Sequence, residues 1–171
     1  MNATTPRALH VALATVSDRH TPSSDETGDW LADAIVDAGH HRYQRQIIGT
    51  DKYLLRAVVS RWIAEPNLNV VLLNGGTGFA EHNCVPEAIV PLLDQVIDGF
   101  GELFRQRSWQ EIGSSALQSR ALAGLANNTL IFAIPGSRSA AELAWCEIIE
   151  PQLDSGQGPC NFVGRLLGKH G

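Results

Sequence analysis

The sequence predicts an α/β fold of three layers, α/β/α, around a mostly parallel central sheet with a C-terminal antiparallel strand pair. Three observations point to it. Apolar strand-like runs alternate with amphipathic helical stretches from residue 9 to residue 93, the pattern of a layered parallel sheet. The runs at 9–16 and 70–73 are short and uninterrupted, as strands covered on both faces are. Asn127-Asn128 separates two further apolar runs, a hairpin signal because asparagine tolerates positive φ.

Taken in order, residues 9–16 form the first strand and end at Ser17-Asp18-Arg19. A polar loop follows, with Asp25 or Thr27 as the cap of the first helix. Trp30, Leu31, Ala34, Ile35 and Ala38 recur at helical spacing, and Gly39 is a natural stop. Residues 43–48 read as the second strand. Leu54, Leu55, Val58, Val59, Trp62 and Ile63 make the stripe of a second helix, closed by Pro66. The third strand, 70–73, runs straight into Asn74-Gly75-Gly76-Thr77-Gly78. Pro86 suits the first turn of a third helix over 86–93. Right-handed crossovers join such units.

The stretch 97–116 is more polar but holds Phe100, Phe104 and Trp109. It reads as two short helices that cover a sheet edge or form a subunit contact. Strands at 121–125 and 130–134 flank the Asn-Asn turn, and the second ends in Pro135-Gly136-Ser137. A last helix, 139–153, buries Ala140, Ala144, Ile148 and Ile149. The tail 154–171, with four glycines before Gly171, reads as irregular.

With 171 residues and 44% apolar content, the chain forms one domain, 1–171, with enough material for a core. Thirteen basic against eighteen acidic residues give a net charge of −5, which argues against a general nucleic-acid or anionic-membrane binder. Cys84, Cys146 and Cys160 are widely spaced with no C-x-x-C, so neither a disulfide framework nor a zinc site is expected. Reduced thiols, no apolar leader in the first nine residues and no membrane-length apolar run together predict a cytoplasmic, soluble domain.

Three of the strands end in short polar loops: Ser17-Asp18-Arg19, residues 74–78, and Pro135-Gly136-Ser137. In an open α/β sheet such loops build the ligand crevice. Gly75, Gly76 and Gly78 leave backbone amides unobstructed for an anion, assisted by the Thr77 hydroxyl. No Gly-Lys-Ser/Thr follows, and the position where a dinucleotide fingerprint needs a third glycine is Glu81. A tight turn without a ligand is the alternative. His40-His41 read as solvated or edge positions rather than metal ligands, Asp33/Asp37 as a solvated face, and Trp30, Trp62 and Trp145 as core or subunit contacts. His82 and Cys84 lie near the site loop; packing is the better role for Cys84. Arg120 and Arg138 are candidate phosphate partners.

Asn74-Gly75-Gly76-Thr77-Gly78, Pro86-Glu87-Ala88, Gly99-Phe100-Gly101-Glu102, Gln118-Ser119-Arg120-Ala121 and Pro135-Gly136-Ser137 follow, in order and spacing, the motifs of the MoaB/MogA family of molybdenum cofactor biosynthesis. Ser17-Asp18-Arg19 with Thr27-Gly28-Asp29 also fits, and 108–113 with 159–162 resembles the MoaB branch. The resemblance implies a three-layer α/β fold and a homo-oligomer, a trimer or a hexamer. It implies molybdopterin, a dithiolene pterin phosphate, as ligand. It implies ATP and a divalent cation such as Mg²⁺ in relatives that adenylylate that ligand. Carried over residue by residue, it implies substrate contacts from Ser17, Asp18, Gly75, Gly76, Thr77, Gly78, Glu102, Ser119, Pro135, Gly136 and Ser137. It places Asp51, Asn83 and Ser108 at the catalytic positions and leaves the metal ligands unspecified. Active relatives carry an aspartate where this chain has Thr50 and another where it has Asn83, with Asp51 one residue from the first. Asparagine keeps an acceptor but loses the charge that would face a metal–triphosphate. The expected function is therefore molybdopterin binding with at best weak adenylyl transfer. The alternatives are a fully active adenylyltransferase and an unrelated nucleotide enzyme.

Overall fold

A computed structural model describes residues 7–168. The strands are β1 (His10–Val16), β2 (His41–Ile48), β3 (Val70–Asn74), β4 (Gln95–Val96), β5 (Leu122–Ala126) and β6 (Thr129–Ile134). They form one sheet in the order β2-β1-β3-β6-β5-β4. β2, β1, β3 and β6 run parallel; β5 is antiparallel to both β6 and β4.

Why β1 and β3 show no polar alternation is visible in their two cores. Val11, Leu13, Val70 and Leu72 face one side, packed with Leu31 and Ile35 of α1 (Glu26–Asp37) and Phe100 and Phe104 of α4 (Asp98–Ile112). Ala12, Ala14, Val71 and Leu73 face the other, packed with Leu55 and Val59 of α2 (Lys52–Ala64) and Ile89 of α3 (Val85–Ile89). Each such leucine taken fully out of water contributes about 1.5–3 kcal/mol. The three layers, the mostly parallel sheet and the antiparallel C-terminal pair are as the sequence predicts. The hairpin turn holds Asn127 and Asn128 at φ 47° and 64°.

Four details differ. Residues 98–112 form a single helix, α4, followed by a 3-10 turn over Gly113–Gln118, rather than two short helices. Phe100, Phe104 and Ser108 recur every four residues and are buried, so one packed face holds the segment together across Gly99 and Gly101. The two-residue strand β4 is too short to leave a pattern. The last helix is interrupted: α5 (Arg138–Ala144) passes through a π-helical turn, Trp145–Ile149, into α6 (Glu150–Leu153). The tail is not wholly irregular, because α7 (Val163–Leu167) buries Val163 and Leu166. Residues 1–6, part of the stretch where no apolar leader is expected, and residues 169–171 at the end of the tail lie outside the described residues. Among the described residues no helix is long and apolar enough to cross a membrane, and the three cysteines are free.

Candidate functional site

Thr15, Asn74 and Ile134 pair across β1, β3 and β6, so the three following loops leave the sheet side by side. β2 adds Gly49-Thr50 at the same edge. β5 runs the opposite way, with Leu122 paired to Ala133, so its lead-in Ser119-Arg120 also arrives there. Five loops thus meet at the carboxyl ends of the parallel strands, where open α/β sheets place ligands.

The glycine turn is packed more tightly than the sequence suggests. Gly75 sits at φ 106° and donates its amide to Ile134 O at 2.8 Å. That amide is sealed, which corrects its expected role as an open anion donor. A Cβ on Gly75 would stand 2.7 Å from Val16 O, and one on Gly76 2.7 Å from Val85 Cγ2. Gly136 lies against the turn, where its Cβ would be 3.3 Å from Gly75 Cα. Close backbone approach therefore requires these glycines. The next amides differ: those of Gly76, Thr77 and Gly78 make no hydrogen bond among the described residues. The carbonyls of the same three residues are all taken. Val85 N donates to Gly76 O and Arg120 N to Thr77 O, each at 3.1 Å, and the Arg120 guanidinium donates to Gly78 O. A trans peptide points its N–H away from the preceding carbonyl, so the Thr77 and Gly78 amides turn from those partners.

Beside the turn lies a crevice of about 340 Å³ lined by Ser17, Asp18, Arg19, Thr50, His82 and Asn83. Asp18 Oδ1 accepts from Thr50 N at 2.8 Å and Oδ2 from the Thr50 hydroxyl. These bonds hold the Asp18 carboxyl below the usual carboxylate range, with His82 adding to the effect. A second crevice of about 460 Å³ shares Thr50 and Asn83 and adds Lys52, Phe79, Glu87 and Arg120. Cys84 also lines it; burial pushes its thiol up, away from nucleophilic character. Asn74, at the base of the turn, is 1% exposed, and its Oδ1 has no hydrogen-bond partner among the described residues.

Of the residues singled out in the sequence, Ser17, Asp18 and Asn83 share one crevice. Gly136 packs on Gly75 next to it, and none of Gly75–Gly78 or Pro135-Gly136-Ser137 lines either crevice. Ser119 flanks Arg120, its hydroxyl accepting from Ala121 N at 3.4 Å. Asp51 is not brought into either crevice: it is the N-cap of α2, accepting from Leu54 N at 2.7 Å. Ser108 is buried on α4, and Glu102 is exposed on the same helix; neither lines a crevice. Ser137 caps α5 by accepting from Ala140 N. Arg120 and Arg138 are not free for phosphate. Arg120 holds carbonyls and Glu87, while Arg138 pairs with Glu142 and lies over Trp30.

Sequence reading missed Thr50 as the partner of Asp18 and Arg120 as a brace. It also missed what Asp25 does. Asp25, 1% exposed, accepts from Thr15 Oγ1 at 2.7 Å, Gly28 N at 3.1 Å and Arg45 at 3.0 Å, tying β1, α1 and β2 together beneath the loops. The Asp25–Gly28 spacing signals only the cap.

A resident divalent cation does not fit this donor set. Hard cations take several oxygen ligands, usually carboxylates. Asp18 is the first crevice's one carboxylate, and both its oxygens are engaged by Thr50. Glu87 in the second is paired with Arg120. Among the described residues no cluster of three or more His, Cys, Asp or Glu could hold a metal.

Comparison with known proteins gives a consistent result. A family model described as "Probable molybdopterin binding domain" matches residues 12–155. Molybdenum cofactor biosynthesis protein B of Escherichia coli K12 is 51% identical over 156 residues, covering 91% of this chain and 92% of that protein. Its Bacillus subtilis namesake is 39% identical, covering 86% and 88%. A crystal structure of molybdenum cofactor biosynthesis protein B superposes with TM-score 0.87 at 34% identity, covering 98% of this chain and 99% of that one. The tungsten cofactor synthesizing protein MoaB from Pyrococcus furiosus gives 0.78 at 28%, covering 87% and 94%.

Proposed function

Because the chain belongs to the MoaB/MogA family of molybdopterin-binding proteins of molybdenum cofactor biosynthesis, we propose that its strand-end crevice binds molybdopterin or a related pterin phosphate and turns it over at best weakly. The observation that carries this reading is the glycine turn. Three successive backbone amides have no partner among the described residues, at the edge where five loops converge and beside a polar crevice. Such a nest suits an anionic group, and the crevice has room for a planar heterocycle beside it.

Weak turnover follows from the donors. Adenylyl transfer depends on positioning and charge neutralisation around phosphates. Here Asn83 stands where active relatives carry an aspartate, Thr50 at the other such position ties up Asp18, and Asp51 is committed to a helix cap. ATP and Mg²⁺ are thus co-substrates the chain is poorly equipped to activate, and no step is assigned to them. The protein acts as a homo-oligomer, a trimer or hexamer, in the cytoplasm.

The test is direct. Purified protein is titrated with molybdopterin, then incubated with molybdopterin, ATP and Mg²⁺, and adenylylated product is quantified. Saturable binding with little or no product is expected. Product formed as fast as by an active relative would establish the adenylyltransferase alternative instead. The double substitution Asn83→Asp and Thr50→Asp should raise product formation at least tenfold; an unchanged rate would mean the deficit lies elsewhere.

A further inference from the structure

We infer that Arg120 is a positioning residue for the anion-binding turn, a role that rests on the binding function proposed above. Arg120 does not face the ligand with free donors. Its Nε donates to Gly78 O at 3.1 Å, and its Nη2 to Gly78 O at 2.7 Å and to Asn83 O at 2.8 Å. Its Nη1 donates to Glu87 of α3. Its own amide donates to Thr77 O at 3.1 Å. One residue from the β5 lead-in therefore holds three carbonyls in the segment 77–83. Phe79 closes over the guanidinium, 5.0 Å from ring centroid to Cζ, and covers the fork from one side.

The consequence follows from peptide geometry. The Arg120 amide, which any side-chain variant keeps, fixes Thr77 O and so the peptide that carries the Gly78 amide. The guanidinium fixes Gly78 O and so the next peptide, which carries the Phe79 amide at the end of the turn, and both N–H groups turn the other way. Fixing Asn83 O anchors one of the two residues shared by both crevices. A loop with three glycines in four residues would otherwise sample many backbone states, and binding would have to order it. Arg120 performs that ordering before the ligand arrives. Only a planar fork can hold two carbonyls and a carboxylate at once; a lysine ammonium at the same place lacks that geometry. Glu87 in turn fixes the fork.

The test uses backbone amide NMR of the full chain, with inorganic phosphate as probe, on wild type, Arg120→Lys, Arg120→Gln and Glu87→Gln, alongside thermal melts. In wild type, phosphate should shift the Gly76–Phe79 amides saturably. Arg120→Gln should move the free-state resonances of Gly78, Phe79 and Cys84 and weaken phosphate binding at least tenfold in protein that is still folded. Arg120→Lys should restore little of it, and Glu87→Gln should lie between. A merely structural role would lower the melting temperature and leave the affinity of folded protein unchanged. Equal phosphate affinity in wild type and Arg120→Gln would overturn the assignment of Arg120. Wild type that shows no shift at these amides would instead remove the anion site itself. Should Arg120→Gln fail to fold, Glu87→Gln decides: wild-type affinity in it counts against the positioning role.

Discussion

Asp25 illustrates how much of this protein's order is set by single buried polar side chains. Its carboxylate spends both oxygens on three donors, and each donor comes from a different element. Gly28 is part of the same arrangement: a Cβ there would stand 2.0 Å from Asp25 Oδ2 and 2.7 Å from Thr15 Oγ1. Gly28→Ala should therefore push the carboxylate off its partners. Overpacking costs about 1–3 kcal/mol, and displaced hydrogen bonds to a buried carboxylate add to it. Denaturant unfolding of the variant should show a lower midpoint with the slope unchanged; a midpoint equal to wild type would mean that the carboxylate is not held there. Thr50 makes the complementary case at the surface. Its two bonds to Asp18 explain why a hydroxyl residue sits beside an acid in the crevice, and why restoring an aspartate there must also release Asp18.

At the scale of elements, the strands and their order of alternation were legible because burial on both faces leaves an apolar run that water-exposed strands cannot have. The Asn127-Asn128 turn was legible because positive φ is chemically selective. The α4 segment was not: Gly99, Gly101 and a polar surface read as breaks, while the buried spacing of Phe100, Phe104 and Ser108 outweighs them. The site was legible as a set of loops but not as a set of contacts. Asp51 and Asp18 lie in neighbouring loops, and only the three-dimensional path decides that one caps a helix and the other meets Thr50. The junction of α1 and β2 supplies a pH-dependent element. His40 is nearly buried and its Nδ1 accepts from Leu9 N at 3.3 Å, which the protonated ring cannot do. Burial and the neighbouring His41 hold its pKa below the ordinary value of 6.5. The unfolded chain therefore takes up its proton first as pH falls. The stabilisation is complete above 6.5 and is lost as pH drops toward the folded value. Melting temperatures of wild type should fall between pH 7.5 and 5.5 by more than those of His40→Gln; parallel curves would sink this account.

At the scale of the whole molecule, among the described residues, one segment carries several large apolar side chains that the chain leaves largely uncovered. Along α4 and the 3-10 turn after it, Leu103, Trp109, Ile112 and Leu117 are 50%, 60%, 53% and 75% exposed. They share a segment that returns to the site through Ser119-Arg120. A monomer in water gains nothing from such side chains. Covering each would be worth up to about 1.5–3 kcal/mol, and several together offset the rotational and translational entropy of association. The trimer or hexamer proposed above is expected to bury this segment between protomers. A charge set into that contact has no partner and costs several kcal/mol when desolvated. Trp109→Glu should shift the sedimentation mass from a multiple of 18.5 kDa toward the single protomer. The same charge at Tyr53, 69% exposed on the opposite layer, should leave the assembly intact. Because the segment leads directly into Arg120, the dissociated variant should also bind phosphate at the glycine turn more weakly than the Tyr53 control. Equal binding by the two would mean that each protomer's site is complete without its neighbours, and an unchanged mass for Trp109→Glu would place the contact on a different face.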